Sequence, residues 1–529
     1  MTRDGSSGSG ATNKWLVTIS VMTGTIMSVL DVSIVNVALP HMQGSLGASV
    51  ESITWVATGY ILSEGFMMPL VSLLSSRIGR KRYYQFSVMV FASASMLCGL
   101  ATSLPMLVAF RILQGFGGGA LIPLSQTFLL ENFPPRERGT AMGIFGVGVV
   151  FAPAFGPTVG GWLTDHYSWP WIFFINVPIG ILNLMLVQRF VEEPEHVERQ
   201  SGGIDWTGLA LLAIGLSCLQ IMLEKGERNQ WFQSDLIRGL ALAALLGLAL
   251  FIWWELRTKR PAVNLRILKN VPFTSATLIG GVLGVGLYAS IFVLPLFLQN
   301  LLGYPAFNSG LTLMPRSLTM GLVFPIAGRL YNKLGPRVLI ASGLGLGAYS
   351  FWQFSRLSLD VGFDQLLWPQ VLQGAGFALI FVALSAAAVI ELEKRQLADA
   401  TGLYNVIRRV FGSAGVALAA TQIDRGNTRY YALLVHNVSR FRGAAAAWLH
   451  RAADLGLAGT GPGGLSPRGL AVLSGTVARQ AAMLAFNHVF YLIAFVFVIS
   501  LPLVLFLRGG TGEEGTGHME TEHVEAVGE

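Results

Sequence analysis

Apolar residues run in stretches of about twenty along most of this chain, broken by short polar or basic segments. A helix rises about 1.5 Å per residue, so about 20 apolar residues cross the hydrocarbon core of a bilayer. That template predicts fourteen spans, near 15–38, 53–73, 84–103, 105–130, 140–162, 171–190, 206–224, 237–256, 272–298, 308–328, 338–356, 366–390, 402–423 and 481–507. The spans imply an all-α polytopic membrane protein. Outside them, 1–14 and 508–529 read as disordered tails, the second rich in Glu, and 424–480 reads as one long, partly helical loop.

Landmarks recur at a near-constant offset. Ser33-Ile34 returns as Ser290-Ile291, the basic segment 72–82 returns as 328–337, and Leu113-Gln114-Gly115 returns as Leu372-Gln373-Gly374. The chain therefore divides into a six-span half over 15–190, an inserted two-span hairpin over 206–256, and a second six-span half over 272–507. Two repeated halves with a site between them is a secondary-transporter architecture.

Composition narrows the class. Only 12% of the 529 residues are charged, while 53% are hydrophobic. A soluble globular chain carries about twice that charged share, so a soluble enzyme, a disordered chain and a disulfide scaffold are excluded. Cys98 and Cys218 lie inside apolar spans and read as packing residues. The net charge of +7 reads as loop asymmetry, not nucleic-acid binding. One set of loops holds Arg77, Arg80, Lys81 and Arg82, then Arg136 and Arg138, then Arg257 to Lys269, then Arg329, Lys333 and Arg337. The opposite short loops carry little beyond Lys225 and Arg228. The basic set is expected on the cytoplasmic side, with both termini.

Few ionisable residues remain inside the spans, and each costs roughly 2.5–3.5 kcal/mol at the bilayer centre. Asp31 lies about seven residues from the outer end of span 1, roughly 10 Å deep, and Arg111 lies roughly 9 Å into span 4. Their matching depth permits a charge pair. Glu64 is roughly 16 Å into span 2. Two acids and a base near a central cavity suit a proton relay, because desolvation raises a carboxyl pKa and a nearby guanidinium lowers it. Asp31, Glu64 and Arg111 are thus the candidate proton-coupling residues. Their repeat partners are Tyr288, Met320 or Gly321, and Gln370, so the charges are expected in the first half. The second half would supply an apolar and aromatic cavity wall, with Arg408 and Asn405 on a small polar stripe of span 13. Asn36, Tyr60, Gln114, Tyr288, Gln373, Asn405 and Arg408 are the candidate substrate-cavity residues. Pro153, Gly156, Pro157, Gly160 and Gly161 on span 5 read as a hinge or a seal between halves. Arg77, Gly79, Arg80 and Lys81 read as one of two paired loop latches.

Several segments together resemble the major facilitator superfamily, and within it the fourteen-span drug:proton antiporters of the EmrB/QacA group, nearest the EmrB type. They are the stretches 30–40 (Leu30-Asp31 to Pro40), 55–60 (Trp55 to Tyr60), 111–115, 152–161, 171–180 and 408–413. The stretches 121–126 and 219–223 extend the likeness, which covers roughly 15–510. The resemblance implies a proton-driven exporter of drugs or other toxic hydrophobic compounds in a Gram-negative inner membrane. It also implies a periplasmic membrane-fusion adaptor and an outer-membrane channel as partners, protons as the coupling ion, and no further cofactor. It gives coupling to Asp31 and Arg111, export-type alternation to 153–161 and gating to 77–82. Ser72 and Ser76 replace the Gly and Asp usual in the gating loop, and Pro170 replaces a common Arg. A dedicated metabolite or fatty-acid exporter is the alternative cargo. A lipid enzyme, an ATP-driven pump and a channel fit less well. The chain has no metal-spaced His cluster, no Gly-x-Ser-x-Gly elbow and no Walker P-loop.

Overall fold

The computed structural model describes residues 13–134, 137–193, 205–258, 261–388, 392–393, 396–437 and 466–507. Residues 1–12 and 508–529 of the tails, 438–465 of the 424–480 loop, and Arg136, Lys259 and Arg260 lie outside the described residues. Among the described residues there is no strand. Lipid offers the backbone no hydrogen bonds, so segments that cross it close their own as helices.

The helices follow the order read from the apolar runs. The first half holds α1 (Lys14–Ser45), α2 (Trp55–Ile78), α3 (Arg80–Gly99), α4 (Leu104–Asn132), α5 (Arg138–His166) and α6 (Trp171–Phe190). The hairpin is α7 (Trp206–Lys225) and α8 (Asp235–Arg257). The second half holds α9 (Val271–Leu301), α10 (306–334), α11 (336–354), α12 (Phe363–Ala387), α13 (Leu397–Asn437) and α14 (Pro467–Phe506). By length and apolarity alone, ten described helices could cross a membrane. In that set α10 and α11 form one run, α5 enters only as the stretch Arg138–Val150, and the more polar α3 and α13 fall outside. Several helices begin on side-chain caps: Asn13, Asp205, Asn270 and Ser466 each accept a backbone N–H from the first turn.

The repeat is visible in the backbone. Gly79 separates α2 from α3 at φ 97°, and Gly335 separates α10 from α11 at φ 75°. Both sit in the region that glycine tolerates and other residues avoid.

Helices α1 to α6 pack mainly on one another, and so do α9 to α14. The halves meet along two seams, α5 against α10 and α2 against α13. The repeat exchanges these two seams. Glycine brings the backbones close at one end of each. A Cβ on Gly139 would stand 3.0 Å from the Gly328 carbonyl oxygen, and one on Gly328 would stand 2.8 Å from that of Gly139. At Gly143 the nearest atom would be the Phe324 carbonyl, and at Gly402 that of Met68. All these crossings lie toward the end that carries the basic loops. Nearer the opposite end, α7 covers the α2–α13 seam. Gln220 donates to Ser413 at 2.9 Å, Trp231 donates to Thr421 at 2.8 Å, and the Thr58 hydroxyl donates to Glu224. The Lys225 ammonium lies 4.3 Å from the centre of the Trp55 ring.

Candidate functional site

The predicted pair forms. Arg111 on α4 donates through Nη1 to Asp31 Oδ2 on α1 at 2.6 Å, and both side chains are almost fully buried. The second carboxylate oxygen accepts from Gln114 Nε2 at 2.9 Å and Asn176 Nδ2 at 2.8 Å. Arg111 also donates to Gln114 Oε1 and to the Val56 carbonyl, and its guanidinium stacks 4.4 Å from the Tyr60 ring centre. Asn176 reaches Ser95 on α3, whose hydroxyl donates to the Phe173 carbonyl. A buried charge is tolerable only when paired and hydrogen-bonded, and here three donors converge on one carboxylate.

Every partner of Asp31 comes from the first half. Tyr60 and Gln114, read from the sequence as cavity residues, belong to this cluster and are wholly buried. The hydroxyl of Tyr60 bonds Ser28 at 3.2 Å. The sequence reading did not include Asn176 and Ser95. Asn176 stands in the quoted 171–180 motif, and its buried amide in an apolar run was the available signal.

Glu64 sits elsewhere. Its carboxylate pairs with Arg409 on α13, across the seam between halves. Arg409 also escaped the sequence reading, which singled out its neighbour Arg408. Arg408 turns toward α9 and α12. It donates to Asn405 Oδ1 at 3.0 Å, and its guanidinium lies 5.6 Å from the Phe381 ring centre and 6.0 Å from that of Tyr404. Asn405 in turn donates to Gln126 on α4 at 2.6 Å, and Thr127 shares a hydrogen bond with Thr401. Phe145 on α5 stacks on Phe381, which also meets Phe324 edge-on, so an aromatic wall spans the two halves.

The second half holds more charge than Arg408. Arg409 lies beside it on α13, and Arg316 is buried on α10. Arg316 donates to Ser290 on α9 at 2.7 Å and to Gln373 on α12 at 3.4 Å. Gln373 is thus buried inside the second half, not on a wall between halves. Tyr288 is 40% exposed and packs so tightly on α13 that a Cβ on Gly412 would overlap its ring. Asn36 is exposed.

The motif on α5 divides. Gly156 and Gly160 seat α5 against Ser33 and Ile34 of α1, whereas a Cβ on Gly161 would meet nothing within 4 Å. Pro153 and Pro157 lie within the helix.

The basic loop is tied down by acids it does not itself contain. Glu193, after α6, accepts the backbone N–H groups of Arg80 and Lys81 at 2.5 and 3.2 Å, at the positive N-terminus of α3. The Arg80 side chain pairs with Glu131 at the end of α4. Lys81 donates to the Gln188 carbonyl, and Arg77 lies in the last turn of α2. From the other half, Asp399 at the start of α13 lies beside Ser72, Asn264 and Arg80. The second half thus brings a carboxylate, Asp399, next to Ser72 and Arg80 of the gating loop. We expect Asp399→Ala to lower the population closed at this end by roughly 10- to 100-fold, the worth of a charge-assisted hydrogen bond. Ser72→Ala should cost less. Labelling of a cysteine placed at position 401 (T401C, with Cys98 and Cys218 removed) by an impermeant maleimide reads the change. Unchanged labelling would mean that Asp399 holds nothing closed.

The family model described as Major Facilitator Superfamily matches residues 21–416, most of the chain. The chain belongs to the major facilitator superfamily. It is a membrane transporter, not an enzyme. Among curated superfamily relatives, the fatty acid resistance protein FarB of Neisseria gonorrhoeae is 34% identical over 513 residues, covering 96% of this chain and 99% of that protein. The multidrug export protein EmrB of Escherichia coli K12 is 34% identical over 504 residues, covering 95% and 97%. Solved superfamily structures share the fold. The human organic anion transporter MFSD10 aligns at TM-score 0.59 and 14% identity over 92% of this chain and 99% of that one. The proton:xylose symporter XylE aligns at TM-score 0.55 and 13% identity, over 91% and 94%.

Proposed function

We propose that the protein is a proton-coupled antiporter that exports drugs or other toxic hydrophobic compounds by alternating access. The observation that carries this reading is the buried Asp31–Arg111 cluster. A carboxylate held by a guanidinium and two amides is a proton site whose affinity shifts when any donor withdraws. A conformational change that moves α4 against α1 would load or release a proton, and differential affinity between two states is all that coupling requires. Glu64, paired across the seam with Arg409, is the second coupling group, because its protonation would remove an ion pair between the halves.

The cargo reading rests on the relatives, EmrB for multidrug export and FarB for fatty acid resistance. The likeness to EmrB supports placement in a bacterial inner membrane with both termini and the basic loops cytoplasmic. It also supports work with a periplasmic adaptor and an outer-membrane channel. FarB favours a second reading, a dedicated fatty-acid exporter.

Proteoliposomes decide. With a pH-sensitive dye inside, a panel of hydrophobic compounds should each trigger proton movement opposite to their own. Uphill efflux that survives collapse of the proton gradient would defeat the antiport reading. Response to fatty acids alone would favour the dedicated exporter.

A further inference from the structure

The intramembrane charges do not balance. Asp31 pairs with Arg111, and Glu64 pairs with Arg409. Arg316 and Arg408 remain, and among the described residues no carboxylate pairs with either. Both lie in the second half. An unpaired buried guanidinium costs several kcal/mol, so it calls for a compensating group.

The repeat shows what is missing around Arg316. In the first half the cation comes from α4 and stacks on Tyr60 of α2. Arg316 stands at the position of Tyr60, and Gln370 at that of Arg111, so the cation has changed helices but kept its place. Gln373 corresponds to Gln114. The acid has no counterpart: Tyr288 stands at the position of Asp31, with its ring turned against Gly412.

What remains is a surplus of donors. Gln370 is fully buried, and both of its amide atoms lack a hydrogen-bond partner. Gln373, one turn along the same helix face, has an unpartnered buried Nε2. Arg316 uses only Nη1, and its 7% residual exposure is the largest in the cluster. Buried amides left without partners cost roughly 1–3 kcal/mol each.

We propose that Arg316, Gln370, Gln373 and Ser290 form an anion subsite that takes the carboxylate of a lipophilic cargo, in the place that Asp31 fills in the first half. The aromatic wall of Phe324, Phe381 and Phe145 begins about two turns farther along α10, roughly 12 Å away. It receives the alkyl chain. Arg408, over Phe381, adds positive potential at the far end of that wall. The proposal rests on the export reading only in calling the anion a cargo.

The test uses the full-length protein in nanodiscs of neutral lipid, with no proton gradient. Binding of decanoate is compared with that of decanol by calorimetry. Wild type should prefer the carboxylate by roughly 10- to 100-fold, the worth of charged hydrogen bonds. Arg316→Gln should abolish the preference, and Arg316→Lys should keep most of it. Arg316→Gln should also melt higher than wild type without ligand, because it removes an unpaired buried charge; a purely structural role predicts the reverse. Equal binding of the two probes to wild type would overturn the subsite, whatever the variants do. So would a preference that survives Arg316→Gln. Because no gradient is present, failure of proton coupling in proteoliposomes leaves this result standing, and loss of the preference leaves proton-driven export standing.

Discussion

Asp31→Asn should abolish proton-driven transport and destabilise the protein together. Asparagine cannot take up and release the proton. It also presents an amide nitrogen where Gln114 and Asn176 already donate, and it leaves the Arg111 guanidinium without a countercharge in a wholly buried site. Breaking one side of a buried ion pair costs roughly 3–5 kcal/mol. Loss of transport alone would not separate coupling from collapse of the cluster. The double variant Asp31→Asn/Arg111→Gln separates them, because replacing both charges removes the uncompensated one. We expect it to recover most of the melting temperature and none of the proton-coupled flux. Flux that returns with stability would make the pair structural and take Asp31 out of the mechanism.

The Asp31–Arg111 pair was legible in the sequence because helical rise is constant. Counting residues from two span ends placed both groups at one depth, and in a bilayer depth is the coordinate that matters most. The duplication was legible for a related reason. Gly79 and Gly335 mark backbone turns that few other residues can make, so their offset survives divergence of the residues around them.

What was not legible is which face of a helix meets which neighbour. Arg408 and Arg409 are adjacent, so about 100° of helix separates them. One consequently reaches Glu64 across the seam while the other turns to Phe381, and no count along α13 distinguishes them. Arg316 sits in an apolar run beside Pro315. Aligning that run with span 2 would have set it on Tyr60, but the cation had moved to another helix and the comparison of charge with charge passed over it. The latch was missed for a similar reason. The gating loop lacks its own acid at Ser76, and the replacement, Asp399, lies in the other half, more than three hundred residues along the chain. Glycines look alike in sequence. Gly161 shares a motif with Gly156 and Gly160, yet only those two carry a close crossing.

Gly328→Val should stop transport without unfolding either half. A Cβ at Gly328 would stand 2.8 Å from the Gly139 carbonyl oxygen and 2.9 Å from the Thr140 Cα. Both are backbone atoms, so no side-chain rotation can make room. Contacts in a packed helix pair depend on small residues at the crossing, and this crossing joins the halves. The valine therefore forces α5 and α10 apart at the end with the basic loops, and the state closed at that end is lost. Alternating access needs that state, so turnover should fall to background while the protein still purifies as a single species. The consequence reaches the other seam. Thr401 is buried against Thr127 when this end is closed, so a cysteine at 401 should change from protected to freely labelled by an impermeant maleimide. Gly161→Val is the matched control, with a β-branched residue on the same helix as Gly139 and open space around it. It should transport at close to the wild-type rate and leave position 401 protected. Wild-type turnover in Gly328→Val would show that the close crossing of α5 and α10 is not part of the transport cycle.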